Sequence, residues 1–353
     1  MPDRVILELN DSNNSLSFQE TRPEYNNNSN TYLPFPKVSV INVVCGNNVE
    51  FMGKCLNSLL ENTDYPDVEF VIVSDSGNEM KNYIASLAEY NCFIRLVFRG
   101  GKHSNASNRN LGAFHASADS KYYLFADSDV MYSDRQWLKN LVSVSEKFDD
   151  IGIIGGGDET TLGHFCSIDN ETGILVNEVM EFNGILPDNP VEMMIIPGYS
   201  MLIRKSMFAC IGGWDEGFTP VYGEDIDICI RCILAGYKVL GKFNKGVQHL
   251  YRNTNENNSC ERIASDNNRL WLTVASNRRL AMKFWDILPT KRLNSYSLWV
   301  DHLKFMRAVG QSYLSRMKQL PPTVVERKLN QLYIPTKDTS AICEIYNAIS
   351  FDC

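Results

Sequence analysis

The sequence predicts an α/β protein built on a mainly parallel central sheet flanked by helices, with a helical C-terminal extension. Three observations carry this expectation. Short apolar runs alternate with helical patterns of 10 to 12 residues from residue 38 onward, and such alternation implies right-handed βαβ crossovers. Charged residues stand where the second, third and fourth runs end, at Asp75, Arg99 and Asp127. Ligands of these sheets bind beyond the carboxyl ends of the strands, so the three share one rim. The chain is also 353 residues long, enough for one large core and an accessory region.

The elements follow in order. Residues 1–36 read as a polar, flexible N-terminal extension, because positions 9–31 are rich in Asn and Ser with little apolar content. Pro34 and Pro36 punctuate the entry to the first strand, Val38–Val44. A helix is expected over Val49–Leu60, a strand over Val68–Val73 and a helix over Met80–Tyr90. A strand over Phe93–Phe98, a helix over Ser107–Ser117 and a strand over Tyr122–Ala126 complete the regular part. Beyond Asp150 the alternation loosens: Ile151–Gly157 runs into a glycine bend, and Ile174–Phe182 and Met193–Ile203 read as further strands. Glu224–Ala235 is helical, Tyr237–Leu240 is a strand, and the main domain is bounded at 37–260. Residues 261–353 form a mostly helical C-terminal region.

Composition excludes several classes. The hydrophobic share of 44% and charged share of 22% suit a soluble enzyme. A net charge of −8 argues against a nucleic-acid binder, which needs a basic face. It leaves room for a nucleotide whose phosphates a metal neutralises. No apolar stretch approaches the roughly 20 residues of a membrane span, and the start of the chain is too short and acidic for a signal peptide. Ten cysteines scattered through apolar segments predict reduced thiols and a cytoplasmic location. The Cys229-Ile230-Arg231-Cys232 pair lies inside a helical pattern and reads as a helix face. Basic residues from Lys291 to Arg327, near Trp299, Leu303, Phe305 and Met306, fit either peripheral membrane contact or a helix packed on the main domain or on a second subunit of a homo-oligomer. Packing is the favoured reading.

The chemistry concentrates in a few places. Asp127-Ser128-Asp129, at the end of an apolar run, is a compact hard-oxygen site for Mn²⁺ or Mg²⁺. As an isolated motif it could be a polar turn. Asp75 can accept hydrogen bonds from a nucleobase or ribose, or cap the next helix. Arg109, in a glycine- and amide-rich loop that enters a helix, could reach a diphosphate. Glu224 and Asp225 open a helix side by side, where repulsion and partial burial can raise one pKa and make a better general base. Asp227 and Arg231, four apart, are expected to pair at the surface or behind the site. His249 could complete a metal site begun by Asp129. His115, His164 and His302 lack comparable context.

At this point the chain resembles the family 2 glycosyltransferases and their relatives with the GT-A (nucleotide-diphospho-sugar transferase) fold, over Val38 to His249, about 60% of the chain. The resemblance rests on an ordered set: Asp75, Asn108-Arg109-Asn110-Leu111-Gly112, Asp127-Ser128-Asp129, Pro197-Gly198-Tyr199-Ser200-Met201, Gly212-Gly213-Trp214-Asp215-Glu216 and Gly223-Glu224-Asp225. It implies a donor side of Asp75, Arg109, Asp127 and Gly198, and a metal held by Asp129, with Asp127 and His249 as further ligands. It implies an acceptor side of Trp214, Asp215 and Glu216, and catalysis by Asp225 beside Glu224. The implied reaction is metal-dependent, inverting transfer from a nucleotide sugar, most simply a UDP- or GDP-sugar, to a hydroxyl of a glycan or of a lipid- or protein-linked acceptor.

Two departures qualify the resemblance. Cys45-Gly46-Asn47-Asn48 replaces the family's usual Pro-Thr-Tyr-Asn, which leaves the base open. The Gln-x-x-Arg-Trp motif of processive synthases is absent, which implies transfer of one sugar or a few. The competing readings are a retaining transferase on the same fold and a non-catalytic sugar-nucleotide- or carbohydrate-binding module. A nucleotidylyltransferase and a dehydrogenase lack their glycine-rich signatures after the first strand. Specificity is expected from the loops between Gly157 and Asn189.

Overall fold

A computed structural model describes residues 6–9, 35–45, 48–89, 93–101, 103–156, 162–179, 188–218, 222–250 and 276–318. Gly46, Asn47, Gly157 and residues 180–187, among them much of the expected specificity loops, lie outside this set. In chain order the strands and helices are β1 (Ile6–Leu9), β2 (Val38–Val44), α1 (Val49–Glu61), β3 (Val68–Ser74), α2 (Asn78–Glu89), β4 (Ile94–Arg99) and α3 (Asn105–His115). Next come β5 (Tyr122–Asp127), β6 (Val130–Tyr132), α4 (Trp137–Ser145), β7 (Ile151–Gly155), β8 (His164–Ile168), β9 (Leu175–Val179) and β10 (Val191–Met193). The rest are β11 (Ser200–Arg204), α5 (Lys205–Ile211), α6 (Glu224–Leu234), β12 (Lys238–Gly241), β13 (Val247–His249), a helix through 276–284 (α7) and α8 (Tyr296–Lys318).

Nine strands form the main sheet, in the order β1-β4-β3-β2-β5-β11-β7-β12-β10. The β1 to β5 half is parallel throughout, as the crossover pattern implied. Antiparallel β11 then inserts between β5 and β7. The sheet is buried on both sides because alternate residues feed two cores. Ile41, Val71, Val97 and Phe125 face one, while Val40, Ile72, Leu96 and Leu124 face the other. The second core takes α1, α2 and α4; the first takes α3, α5, α6 and the C-terminal helices.

Two expectations need correction. The single strand expected over Met193–Ile203 is two, because Pro197-Gly198 cannot continue a ladder; β10 joins the edge beside β12 and β11 lies centrally. Residues 6–9, within the expected flexible extension, pair in parallel with β4. Of the two places expected for the Asp227–Arg231 pair, the structure shows the buried one: Asp227 is 0% exposed. The C-terminal helices share the first core. Trp299, Leu303 and Met306 are buried in it, leaving Phe305 as the exposed member of that apolar group. Gly310 permits this docking, since a Cβ there would lie 2.1 Å from the Leu234 carbonyl oxygen. No helix among the described residues is long and apolar enough to cross a membrane.

Helix α3 carries much of the site, and its height above the sheet is set by Gly112. A Cβ on Gly112 would sit 2.3 Å from Ile41 Cγ2 and 3.1 Å from Val73 Cγ2, both in the core. Gly112→Ala is therefore expected to overpack this contact at a cost of about 1–3 kcal/mol. Thermal unfolding checks it, with roughly 2–4 °C lost per kcal/mol; an unchanged Tm would contradict the close packing.

Candidate active site

The site begins where β5 ends. Asn42, a polar residue inside the apolar strand β2, donates from Nδ2 to the carbonyls of Ala126 (3.1 Å) and Asp127 (3.3 Å). It fixes the chain just before the turn that displays Asp127 and Asp129. That turn leads into β6, whose antiparallel partner is β13, with His249 opposite Val130. The Leu250 N–H donates to the Asp129 carbonyl at 3.0 Å. Two three-residue strands thus bring together groups separated by 120 positions.

Asp127, Asp129 and His249 each offer a ligand atom, all within 4.8 Å of one another. His249 Nε2 lies 3.1 Å from Asp129 Oδ1, and the Tyr199 ring packs over the imidazole at 4.5 Å. All three ligands are half-buried. Two carboxylates and an imidazole suit Mn²⁺, and carboxylates suit Mg²⁺. These residues therefore fit a divalent cation.

Arg109 lies beneath Asp127. It was expected to reach a diphosphate, but it is 1% exposed. Its Nη2 donates to Asp127 Oδ1 at 2.6 Å and to the Gly198 carbonyl at 3.1 Å, while Nη1 meets Glu224 Oε1 at 3.4 Å. The guanidinium also lies 4.6 Å from the Trp214 ring centroid. A buried guanidinium stays charged and must be matched by carboxylates, so its two Nη groups are committed here. Gly198 sits close to its neighbours, since a Cβ at this position would fall 3.0 Å from Asp225 Cβ.

Tyr222 (φ 77°) and Gly223 (φ 88°) both adopt left-handed backbone immediately before α6. This turn presents Glu224 and Asp225 at the rim; a tyrosine in that region is strained, a feature that clusters at functional sites. The two acids diverge. Glu224 is buried, and burial pushes its carboxyl up to about 7; Arg109 opposes this, while Asp225 and Asp127 add to it. Asp225 stays half-buried, and its Oδ2 accepts the Gly198 N–H at 3.3 Å. The raised member of the pair is Glu224, which faces inward.

Asp75, at the end of β3, is tied to the loop and helix that follow β4. Its Oδ2 accepts from the His103 N–H and from Asn108 Nδ2, each at 3.1 Å. The expected acceptor residues are placed differently. Trp214 is 2% exposed and packs edge-on against Phe125, so it underlies the site rather than lining it. Asn110 holds this turn, donating to the Trp214 carbonyl and to Glu216 Oε1, and accepting the Trp214 N–H, each at 2.9 Å. Asp215 is engaged by Arg279 and Lys283.

Sequence reasoning missed Asn42 and Asn110. The signal for Asn42 was a lone polar residue in an apolar strand; Asn110 had none beyond its place in the Asn108–Gly112 motif. His164, left unassigned, lies within the field of Asp225. Burial pushes its pKa down while Asp225 opposes the shift.

With this geometry in place, comparison with known proteins is decisive for the main domain. The sequence model of Glycosyl transferase family 2 matches residues 39–211. This segment is a family 2-like glycosyltransferase domain. The chain is 26% identical over 221 residues to an O-antigen biosynthesis protein, RfbC, of Myxococcus xanthus, covering 58% of this chain but 16% of that protein. Among solved structures, the mannosyltransferase PcManGT from Pyrobaculum calidifontis, in complex with GDP-Man and Mn²⁺, aligns with a TM-score of 0.53 at 14% identity. That match covers 90% of this chain and 88% of the other. GalNAc-T7 with UDP, GalNAc and Mn²⁺ aligns with a TM-score of 0.55 at 18% identity, over 82% and 59% of the two chains. The fold is GT-A.

Glu224 gives the site a pH signature. Its carboxyl lies near 4.5 ordinarily and near 7 when folded, so the folded state binds the proton more tightly. This group therefore lowers stability progressively as pH rises from about 4.5 to about 7, and adds nothing further above. Glu224→Gln, which keeps an acceptor for Arg109, should lose that slope. Denaturant unfolding of both proteins from pH 5 to 8 checks it; parallel curves would contradict the burial of this carboxyl.

Proposed function

We propose that the chain is a divalent-cation-dependent, inverting glycosyltransferase that moves a hexosyl or related sugar from a nucleoside-diphosphate sugar to an acceptor hydroxyl. The observation that carries this reading is the meeting of Asp127, Asp129 and His249 on the rim that also presents Asp225. Asp75 would receive the nucleobase, steadied by Asn108 and the His103 N–H. A UDP- or GDP-sugar fits the donor; the two structural neighbours are described with GDP-Man and with UDP. The named role of the Myxococcus relative supports a glycan or lipid-linked acceptor, and a protein-linked one is compatible with the same chemistry.

Asp225 is the general base in this proposal. It is half-buried at the rim, where the main-chain N–H groups of Gly198 and Ile226 donate to its two oxygens and hold its orientation. The acceptor oxygen bonds to the anomeric carbon as its proton passes to Asp225. The bond from that carbon to the phosphate oxygen breaks with inversion, and the nucleoside diphosphate departs. A cation on Asp127, Asp129 and His249 would supply counter-charge for that diphosphate. Arg109 contributes by holding Asp127 and Glu224 in place. Trp214 shapes the acceptor side from beneath, and Glu216 stands exposed beside it.

Two variants test this reading. Calorimetry with UDP and GDP, with and without Mn²⁺, should give metal-dependent binding of one nucleotide, lost in Asp129→Ala. Asp225→Asn should keep that binding while release of nucleoside diphosphate from the matching sugar nucleotide falls by about 10²–10⁴, the usual worth of a general base. Metal-independent binding, or wild-type turnover by Asp225→Asn, would contradict the proposal.

A further inference from the structure

Behind the proposed base lies a second charged cluster, built from three parts of the chain. Asp215 belongs to the Gly-Gly-Trp-Asp-Glu turn, Asp227 and Arg231 to α6, and Arg279 and Lys283 to α7. Lys283 Nζ donates to Asp215 Oδ2 at 2.8 Å and to Asp227 Oδ1. Arg279 Nη2 spans both oxygens of Asp215 at 3.0 Å. Arg231 donates from Nε to Asp227 Oδ2 at 2.7 Å, and from Nη1 to the carbonyls of Ile211 (3.0 Å) and Gly213 (2.8 Å). Burial alone would raise the Asp215 carboxyl, but Lys283 and Arg279 hold it well below the usual carboxylate range. Gly217 is bare where Arg279 passes: a Cβ there would come within 2.0 Å of Nη2.

Among the described residues, Lys283 is the one cation that contacts both carboxylates. It therefore joins the turn behind the acceptor side to the first turn of α6, two residues from Asp225. Removing it would leave Asp227, which is 0% exposed, with Arg231 as its cationic partner. Breaking a buried pair from one side is far more damaging than its net worth suggests. The metal ligands stand apart, on β5, the turn after it and β13, and share no residue with this cluster.

We propose that Lys283, supported by Arg279, is a positioning residue for Asp225, so that the C-terminal helix α7 is a working part of the catalytic unit rather than an appendage. The inference rests on Asp225 being the base. It extends the functional unit well past residue 211, where the match to the family ends. Lys283 itself touches no substrate in this account; it fixes the entry of α6, and α6 aims Asp225.

The test compares Lys283→Met and Lys283→Arg with the wild type, using Lys304→Ala on the exposed face of α8 as a control. Hydrogen exchange is followed by mass spectrometry, Mn²⁺-dependent UDP and GDP affinity by calorimetry, and nucleoside diphosphate release with UDP- and GDP-hexoses. Lys283→Met should raise exchange selectively at residues 213–218 and 224–228. It should leave nucleotide affinity unchanged within about twofold and lower turnover per folded molecule at least tenfold, a kcat loss without a KM change. Lys283→Arg should recover most of both losses. Wild-type exchange in α6, wild-type turnover, or exchange raised evenly over the whole sheet would each overturn the positioning role. If the wild type shows no metal-dependent nucleotide binding, the transferase reading fails; the exchange pattern still decides whether Lys283 orders the start of α6.

Discussion

A guanidinium with almost no water around it organises this molecule. Arg109 is 1% exposed, and a buried charge of that kind is tolerated only when its partners are charged and well placed. Asp127 and Glu224 supply the charge, the Gly198 carbonyl a further acceptor and Trp214 a flat face. Because arginine does not release its proton at any ordinary pH, these partners are required together. Asp127 must end β5 at one height, Glu224 must turn inward, and the carbonyl of Gly198 must face the guanidinium.

The outward face of the site follows from that inward constraint. Arg109 engages one oxygen of Asp127 and fixes the plane of the carboxylate beside Asp129 and His249. Its salt bridge to Glu224 draws that side chain under the rim and leaves the neighbouring Asp225 at the surface. Adjacent acids thereby acquire different environments, Glu224 buried against Arg109 and Asp225, the proposed base, half-buried at the rim. The Lys283 cluster repeats this logic one layer further back, where cations from α7 pair with carboxylates of the turn at Asp215 and of α6.

The parallel half of the sheet was legible because each of its strands is an apolar run bounded by polar turns, and β2 to β5 match their expected ranges to within a residue or two. Asp127, Asp129 and His249 were expected together as candidate ligands of a hard cation, from their chemistry and from the family resemblance, and the structure brings them together. The strands that do so were not legible, because β6 and β13 are three residues each and carry no period. Arg109 was expected to reach a ligand and instead points inward: a sequence shows that a cation starts a helix, not whether it points up to a ligand or down to the core. The split of 193–203 into β10 and β11 depended on Pro197-Gly198, whose interrupting effect outweighed the apolar run around it. Lys283 was invisible as a site residue, since nothing local links it to an aspartate 56 positions earlier.

The central claim is that one cation site, formed by two carboxylates and an imidazole, serves the nucleotide. Crystals grown with Mn²⁺ and either UDP or GDP, measured for anomalous scattering at the manganese edge, test it most directly. The account predicts a single strong peak bonded to Asp129, His249 and an Asp127 oxygen, with nucleotide phosphate completing the shell. A peak on Glu224 and Asp225, or nucleotide bound with no peak at Asp129, would contradict it.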